Sequence, residues 1–221
     1  MKNEAKTSET ERSEARQREA IIRGVARVMA IGFQEDPMNS AQLEGVKKRT
    51  QLLQAHSLMH ARHALRYDML HILDGDPRAF LIGQDSGEEH KGRQRIFMLK
   101  MYLKTFTMLG LKDLRRLFAN IKRHRKVLSF DWQREFIPGR YYHIKITAVD
   151  KSLRGTGAFR KLITPRIQHA DREQIPIVLE THNKSNVGLY ERFGFELVKT
   201  IRSPDTPIEQ YCMIRKAAVA D

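Results

Sequence analysis

Val149-Asp150-Lys151-Ser152-Leu153-Arg154-Gly155-Thr156-Gly157-Ala158 has the residue types and spacing to grip a polyphosphate. It leaves a strand-like run, passes two glycines beside a basic residue, and enters a helical pattern. Such a turn aims free backbone N–H groups at one point and adds the positive end of a helix dipole. Glycine pairs also mark ordinary strand-to-helix turns, so the loop alone names no ligand. Two further groups have proton chemistry to offer. His143 lies on the polar side of the strand leading into the loop, and an imidazole titrating near ~6.5 suits proton acceptance at neutral pH. Glu180, on the next strand-like run, is its rival. His56, His60 and His63 share helical spacing, but the Glu of a His-Glu-x-x-His site is missing, so they read as surface or partly buried histidines and no metal is expected. Cys212 reads as a core residue of a terminal strand.

The elements that must position these groups are legible in outline. Residues 1–12 are polar and read as a flexible tail before a single domain over 13–221. From about Glu11, Ile21, Ile22, Val25, Val28 and Met29 recur at helical spacing, until Gly32, Asp36 and Pro37 stop the helix. A second helix is expected over about 41–65, with Leu43, Val46, Leu53, Ala61 and Leu65 inward. Met69–Leu73 and Ala79–Ile82, split by Asp74-Gly75-Asp76-Pro77, predict a hairpin. Residues 95–127 read as mainly helical, with Leu111, Leu114, Leu117, Phe118 and Ile121 in one amphipathic stripe. Tyr141–Val149 alternates as a strand: Ile144, Ile146 and Ala148 one way, His143, Lys145 and Thr147 the other. A helix over about Gly157–Arg172 follows, then a strand over Ile175–Thr181, a short helix through Glu191 closed by Gly194, and two last strands.

Two segments of this half resemble the GNAT superfamily of acyl-CoA-dependent N-acetyltransferases. Arg154-Gly155-Thr156-Gly157-Ala158-Phe159, after the strand ending Ala148-Val149, is similar to the family's Arg/Gln-x-x-Gly-x-Gly/Ala loop. Asn183-Lys184-Ser185-Asn186-Val187-Gly188-Leu189-Tyr190-Glu191-Arg192-Phe193-Gly194-Phe195 is similar to its Asn…Leu-Tyr-x-x-x-Gly-Phe segment. The likeness covers roughly 141–215. It implies an α/β fold with a mixed, mainly antiparallel sheet flanked by helices, and acetyl-CoA as co-substrate. It further implies a pyrophosphate on residues 154–159, pantetheine against the backbone of Thr147–Val149, Asn183 bonded to the pantetheine arm, and Tyr190 as general acid toward the departing thiolate. The strand 141–149 is expected to splay from 176–182 to admit the coenzyme. Either His143 or Glu180 would remove the amine proton, and the Val149 N–H would polarise the thioester carbonyl. Phe159 departs from the pattern, standing where the family has Gly or Ala, and is expected to narrow or tilt the phosphate site. For Asn183 a plain helix cap is the competing role, and for Tyr190 an amphipathic core position.

Composition limits what else the chain can do. Over 221 residues, 41% are hydrophobic and 30% charged, enough for one sizeable core and a hydrated surface. No apolar run is long enough to cross a bilayer, and one cysteine excludes an internal disulfide, so a cytoplasmic protein is expected. The net charge is +14, and residues 91–126 hold twelve Lys and Arg against Asp113 alone. That field attracts anions, but no aromatics interleave with it for base stacking. A solvated basic face is therefore preferred over a nucleic-acid partner. The acceptor is expected to be an amine, small-molecule or protein, walled by the N-terminal helices. A non-catalytic protein that senses acyl-CoA or docks on nucleic acid through 91–126 is the alternative. The oligomeric state is open.

Overall fold

Ile22, Val25, Val28 and Met29 all turn inward from one side of a long first helix, α1 (Lys2–Glu35). The computed structural model describes residues 2–218. Of the tail expected over 1–12, Met1 lies outside the described residues and Lys2 onward stands in α1. Asp36 accepts the Asn39 N–H at 2.8 Å and so caps α2 (Pro37–Gln42), with proline in its first position. The single helix expected over 41–65 is broken after α2. Gly45 takes φ +68°, and α3 (Arg49–Arg66) follows; Leu43, Val46, Leu53 and Ala61 are buried as expected. The hairpin forms as β1 (Leu70–Leu73) and β2 (Asp76–Asp85), turning on Asp74 and Gly75 at positive φ. The helical stretch after it is two helices, α4 (Lys91–Met108) and α5 (Leu111–His124). On α5, Leu117 is buried, but Leu111 and Phe118 face solvent, so its inner stripe is narrower than its apolar residues imply.

β3 (Tyr142–Val149), α6 (Ala158–Arg172), β4 (Ile177–Thr181), α7 (Ser185–Glu191), β5 (Glu196–Ser203) and β6 (Thr206–Arg215) then follow in the expected order. The sheet runs β1-β2-β3-β4-β6-β5, and of its five pairings only β3 with β4 is parallel. This is the mixed, mainly antiparallel α/β sheet that the sequence implied. On one face α6 and α7 bury Leu162, Ile163, Ala170 and Tyr190 against Leu81, Ile144, Ile177, Leu179 and Met213. On the other, α1 and α3 pack over Phe80, Ile82, Ile146 and Ala148.

β3 does not keep one face throughout. Its register with β2 slips between Ile82–Ile146 and Gly83–Ile144, leaving Lys145 unopposed. One extra residue reverses the alternation of side chains. Ile144 therefore lies under α6, while Ile146 and Ala148 lie under α1 and α3, and the expectation that all three share a face fails here. Thr147, paired with Leu81, moves to the α6 face; His143 stays on the opposite one.

The helical histidines join α3 to α4. His56 Nε2 bonds Thr105 Oγ1 at 3.0 Å, and the rings of His60 and His63 rest on Phe97. Burial, chiefly, pulls His56, His60 and His71 each down to about 4. An unfolded chain holds them near ~6.5, so between these limits it binds more protons than the fold. Their contribution to stability is present above about pH 6.5 and is lost as pH falls toward about 4. The thermal midpoint should drop from about pH 7 to about pH 5, and drop less in His60→Phe. A wild-type midpoint flat over that range would contradict their burial.

Candidate active site

The loop after β3 is built by its own side chains. The Asp150 carboxylate accepts the Ser152 N–H at 2.9 Å and its hydroxyl at 2.7 Å, starting a short 3-10 turn over Lys151–Leu153. Thr156 Oγ1 donates to the Leu153 carbonyl at 2.8 Å, which spends the hydroxyl on closing the loop. Gly155 and Gly157 take φ +79° and +81°. A Cβ at either would touch nothing within 4 Å, so glycine is needed for the backbone direction, not for room. The open side of the loop faces solvent, with the unpaired first N–H groups of α6, from Ala158 on, at its base. Arg154 is exposed beside it, and Lys151 ties the loop to α1 through Glu35 at 2.6 Å.

Phe159 does not narrow this loop. Its ring turns into the core and packs edge-on against Tyr190 and Phe193, at centroid distances of 5.8 and 5.2 Å. Apolar burial outweighs exposure for so large a side chain, and the expectation of an obstructed site is corrected. Asn183 also takes the plainer role: its Oδ1 accepts the Ser185 N–H at 3.1 Å and hydroxyl at 2.8 Å, which starts α7.

The central feature is a gap in the sheet. β3 and β4 pair only through Tyr142–Ile177, His143–Val178 and Ile144–Leu179, and from Lys145 onward the β4 side of β3 has no ladder partner among the described residues. On its other side the strand stays paired. The Asp150 N–H bonds the Arg78 carbonyl at 2.8 Å, and antiparallel ladders alternate. The peptide groups of Ala148 therefore point to β2, and those of Thr147 and Val149 point into the gap. Ala148 is thus removed from the expected contact set, its methyl packed toward α1 and α3. Cavities of about 360 and 600 Å³ lie elsewhere, at the opposite ends of β3 and β4 around Tyr142 and Pro176.

His143 and Glu180, expected as rivals, form one pair. His143 Nε2 lies 3.1 and 3.2 Å from the two Glu180 oxygens, and the Trp132 indole N–H donates to Oε2 at 3.1 Å. Burial pushes the Glu180 carboxyl up, but the His143 and Trp132 hydrogen bonds and the His143 charge outweigh it and hold it below the usual range. A carboxylate only accepts, so Nε2 carries a proton toward Glu180 and Nδ1 is the ring nitrogen outside this pair. Trp132, fully buried against Val178, Cys212 and Ile214, was not singled out in the sequence, because its turn shows neither helical nor strand periodicity. The chain's only tryptophan was the available clue.

Tyr190 reaches the gap from the other face. It packs on Phe159 and Phe195, and burial pushes its phenol up to about 12. The Thr147 hydroxyl lies close enough to favour the ionised phenol, yet makes no hydrogen bond of good geometry itself. The His143–Glu180 pair on one face and a phenol on the other thus flank a slot whose far end is the loop after β3.

The model of the acetyltransferase (GNAT) family matches residues 121–195, which span β3, the loop, α6, β4 and α7. Solved structures share the fold. The histone acetyltransferase HPA2 and related acetyltransferase of Corynebacterium glutamicum superposes with TM-score 0.59 at 15% identity, over 91% of this chain and 93% of that one. Arylalkylamine N-acetyltransferase 2 of Aedes aegypti gives 0.53 at 17% identity, over 87% and 94%. An N-acetyltransferase of Staphylococcus aureus gives 0.51 at 14%, over 86% and 92%.

Replacing the Glu180 carboxylate by an amide removes the charge from both buried hydrogen bonds and turns an N–H2 toward the His143 N–H. Glu180→Gln should lower unfolding free energy at neutral pH by about 2 kcal/mol, read by urea denaturation. Because the native carboxyl is held low, its contribution is present above the unfolded value and lost as pH falls through the folded one. The difference between variant and wild type should shrink in acid; a constant difference would contradict an ionised Glu180.

Proposed function

We propose that the chain is an acyltransferase, residues 121–195 matching the model of the acetyltransferase (GNAT) family, and that it moves an acetyl group from acetyl-CoA to a primary amine by direct attack. The observation that carries this reading is the slot between β3 and β4, open at Lys145 and ending at the uncapped first N–H groups of α6. The coenzyme pyrophosphate would rest on the backbone of Gly155–Phe159 with Arg154 beside it, and the pantetheine amides would pair with Thr147 and Val149 as an added strand.

The amine nitrogen attacks the thioester carbonyl carbon, and its proton goes to His143 Nδ1. Glu180 holds the imidazole and stabilises the imidazolium that forms, so base and orienting carboxylate act together. The carbon–sulfur bond breaks and the sulfur leaves as thiolate. A phenol at about 12 is a weaker acid than a thiol near ~8.5. Tyr190 therefore donates a hydrogen bond to the thiolate, and full proton transfer would be uphill. The acceptor is an amine on a small molecule or a protein. A cytoplasmic location belongs to the same reading and is supported by the lone, buried Cys212. No helix among the described residues is long and apolar enough to cross a membrane.

Coenzyme A should raise the thermal midpoint, and acetyl-CoA with a panel of primary amines should release free thiol. A folded sample that does neither would remove the proposal. Tyr190→Phe should lower kcat by roughly 10- to 100-fold, the worth of one hydrogen bond to an anion, with coenzyme binding little changed. His143→Gln should lower kcat by about 10²-fold or more. Unchanged kcat in either variant, with chemistry rate-limiting, would take that residue out of the mechanism.

A further inference from the structure

Helix α4 is apolar on two opposite faces. Phe97, Met101 and Thr105 are buried against α3. Ile96, Leu99, Leu103 and Phe106 recur every three or four residues on the outer side and are 59, 58, 55 and 51% exposed. The patch continues onto α5, where Phe118 meets Phe106 at 5.9 Å and Leu111 also faces solvent. An outward stripe of this size on a folded domain marks a surface that something covers. Arg95, Lys100, Lys104, Lys112 and Arg115 stand exposed around it. Among the described residues, only Lys126 of the twelve basic side chains over 91–126 has a carboxylate partner, Asp205.

The occupant must accept both aliphatic side chains and unpaired cations. Nucleic acid neutralises the cations but offers nothing to Ile96, Leu99 and Leu103. A second copy would cover the apolar stripe while pressing two strongly basic surfaces together, with Asp113 the single carboxylate of the region. A lipid surface rich in acidic headgroups satisfies both, taking the apolar residues into its acyl boundary and the Lys and Arg at the phosphate level. We propose that the outer face of α4 and α5 seats this protein on an anionic bilayer surface. The helix lies in the interface plane, since it is too charged to span. The proposal does not depend on the transferase reading, and it puts the lipid on the side of α3 away from the sheet.

The test is co-sedimentation of the full chain with vesicles of phosphatidylcholine, with and without about one-third phosphatidylserine. The protein should pellet with the acidic vesicles and much less with phosphatidylcholine alone. Leu103→Glu with Phe106→Glu, and separately Lys100→Glu with Lys104→Glu, should each weaken partitioning at least tenfold, with circular dichroism and thermal midpoint unchanged because all four side chains are exposed. The proposal is overturned if wild type stays in the supernatant with acidic vesicles, or if both double variants pellet like wild type. It is equally overturned by a wild-type dimer that the Leu103/Phe106 variant dissociates while no vesicle binding is seen, or by duplex DNA or RNA binding without vesicle binding.

Discussion

The parting of β3 from β4 after Ile144–Leu179 is the constraint from which the rest follows. Backbone N–H and C=O groups are obligatory hydrogen-bonding groups, and a buried sheet normally pairs all of them. Here Thr147 and Val149 keep theirs free toward the gap while Ala148 and Asp150 spend theirs on β2. The sheet survives because β2 holds one side of β3 along its length and β6 holds β4. What remains is an edge inside the molecule, with backbone groups of β3 turned to the gap.

Two faces of the sheet meet at that edge, and they are electrostatically unlike. On one, Glu180 is kept ionised in a buried position. Taking a carboxylate out of water costs several kcal/mol, and the donors from His143 and Trp132 offset it. On the other, burial outweighs the nearby Thr147 hydroxyl, and the Tyr190 phenol is held neutral between Phe159 and Phe195. One face thus carries an ionised carboxylate held against an imidazole, the other a neutral phenol.

The helices inserted between β2 and β3 serve the site from a distance. Their descending chain delivers Trp132 to Glu180, and their inner residues lock onto α3 through Phe97 and Thr105. Their outer residues do neither, which is why the apolar and basic stripe asks for a different explanation from the gap between β3 and β4.

Local pattern was enough for the amide loop, the order of strands and helices from β3 onward, and the tyrosine at the end of α7, because glycine at positive φ and the periods of 2 and 3.6 act over a few residues. It was not enough where two distant segments had to meet. The bulge at Lys145 is a property of pairing with β2 and reverses the faces of Ile146 and Thr147 without any local mark. His143 and Glu180 could be ranked as rivals from the chain, but their union, and Trp132 above them, exists only once β3, β4 and the turn before β3 are packed. The turn of the Phe159 ring into the core and the Asn183 carbonyl closing onto Ser185 are likewise settled by packing. Sequence determines what each segment prefers alone; tertiary structure decided which side chain faces which, since burial and ladder pairing are settled between segments rather than within them.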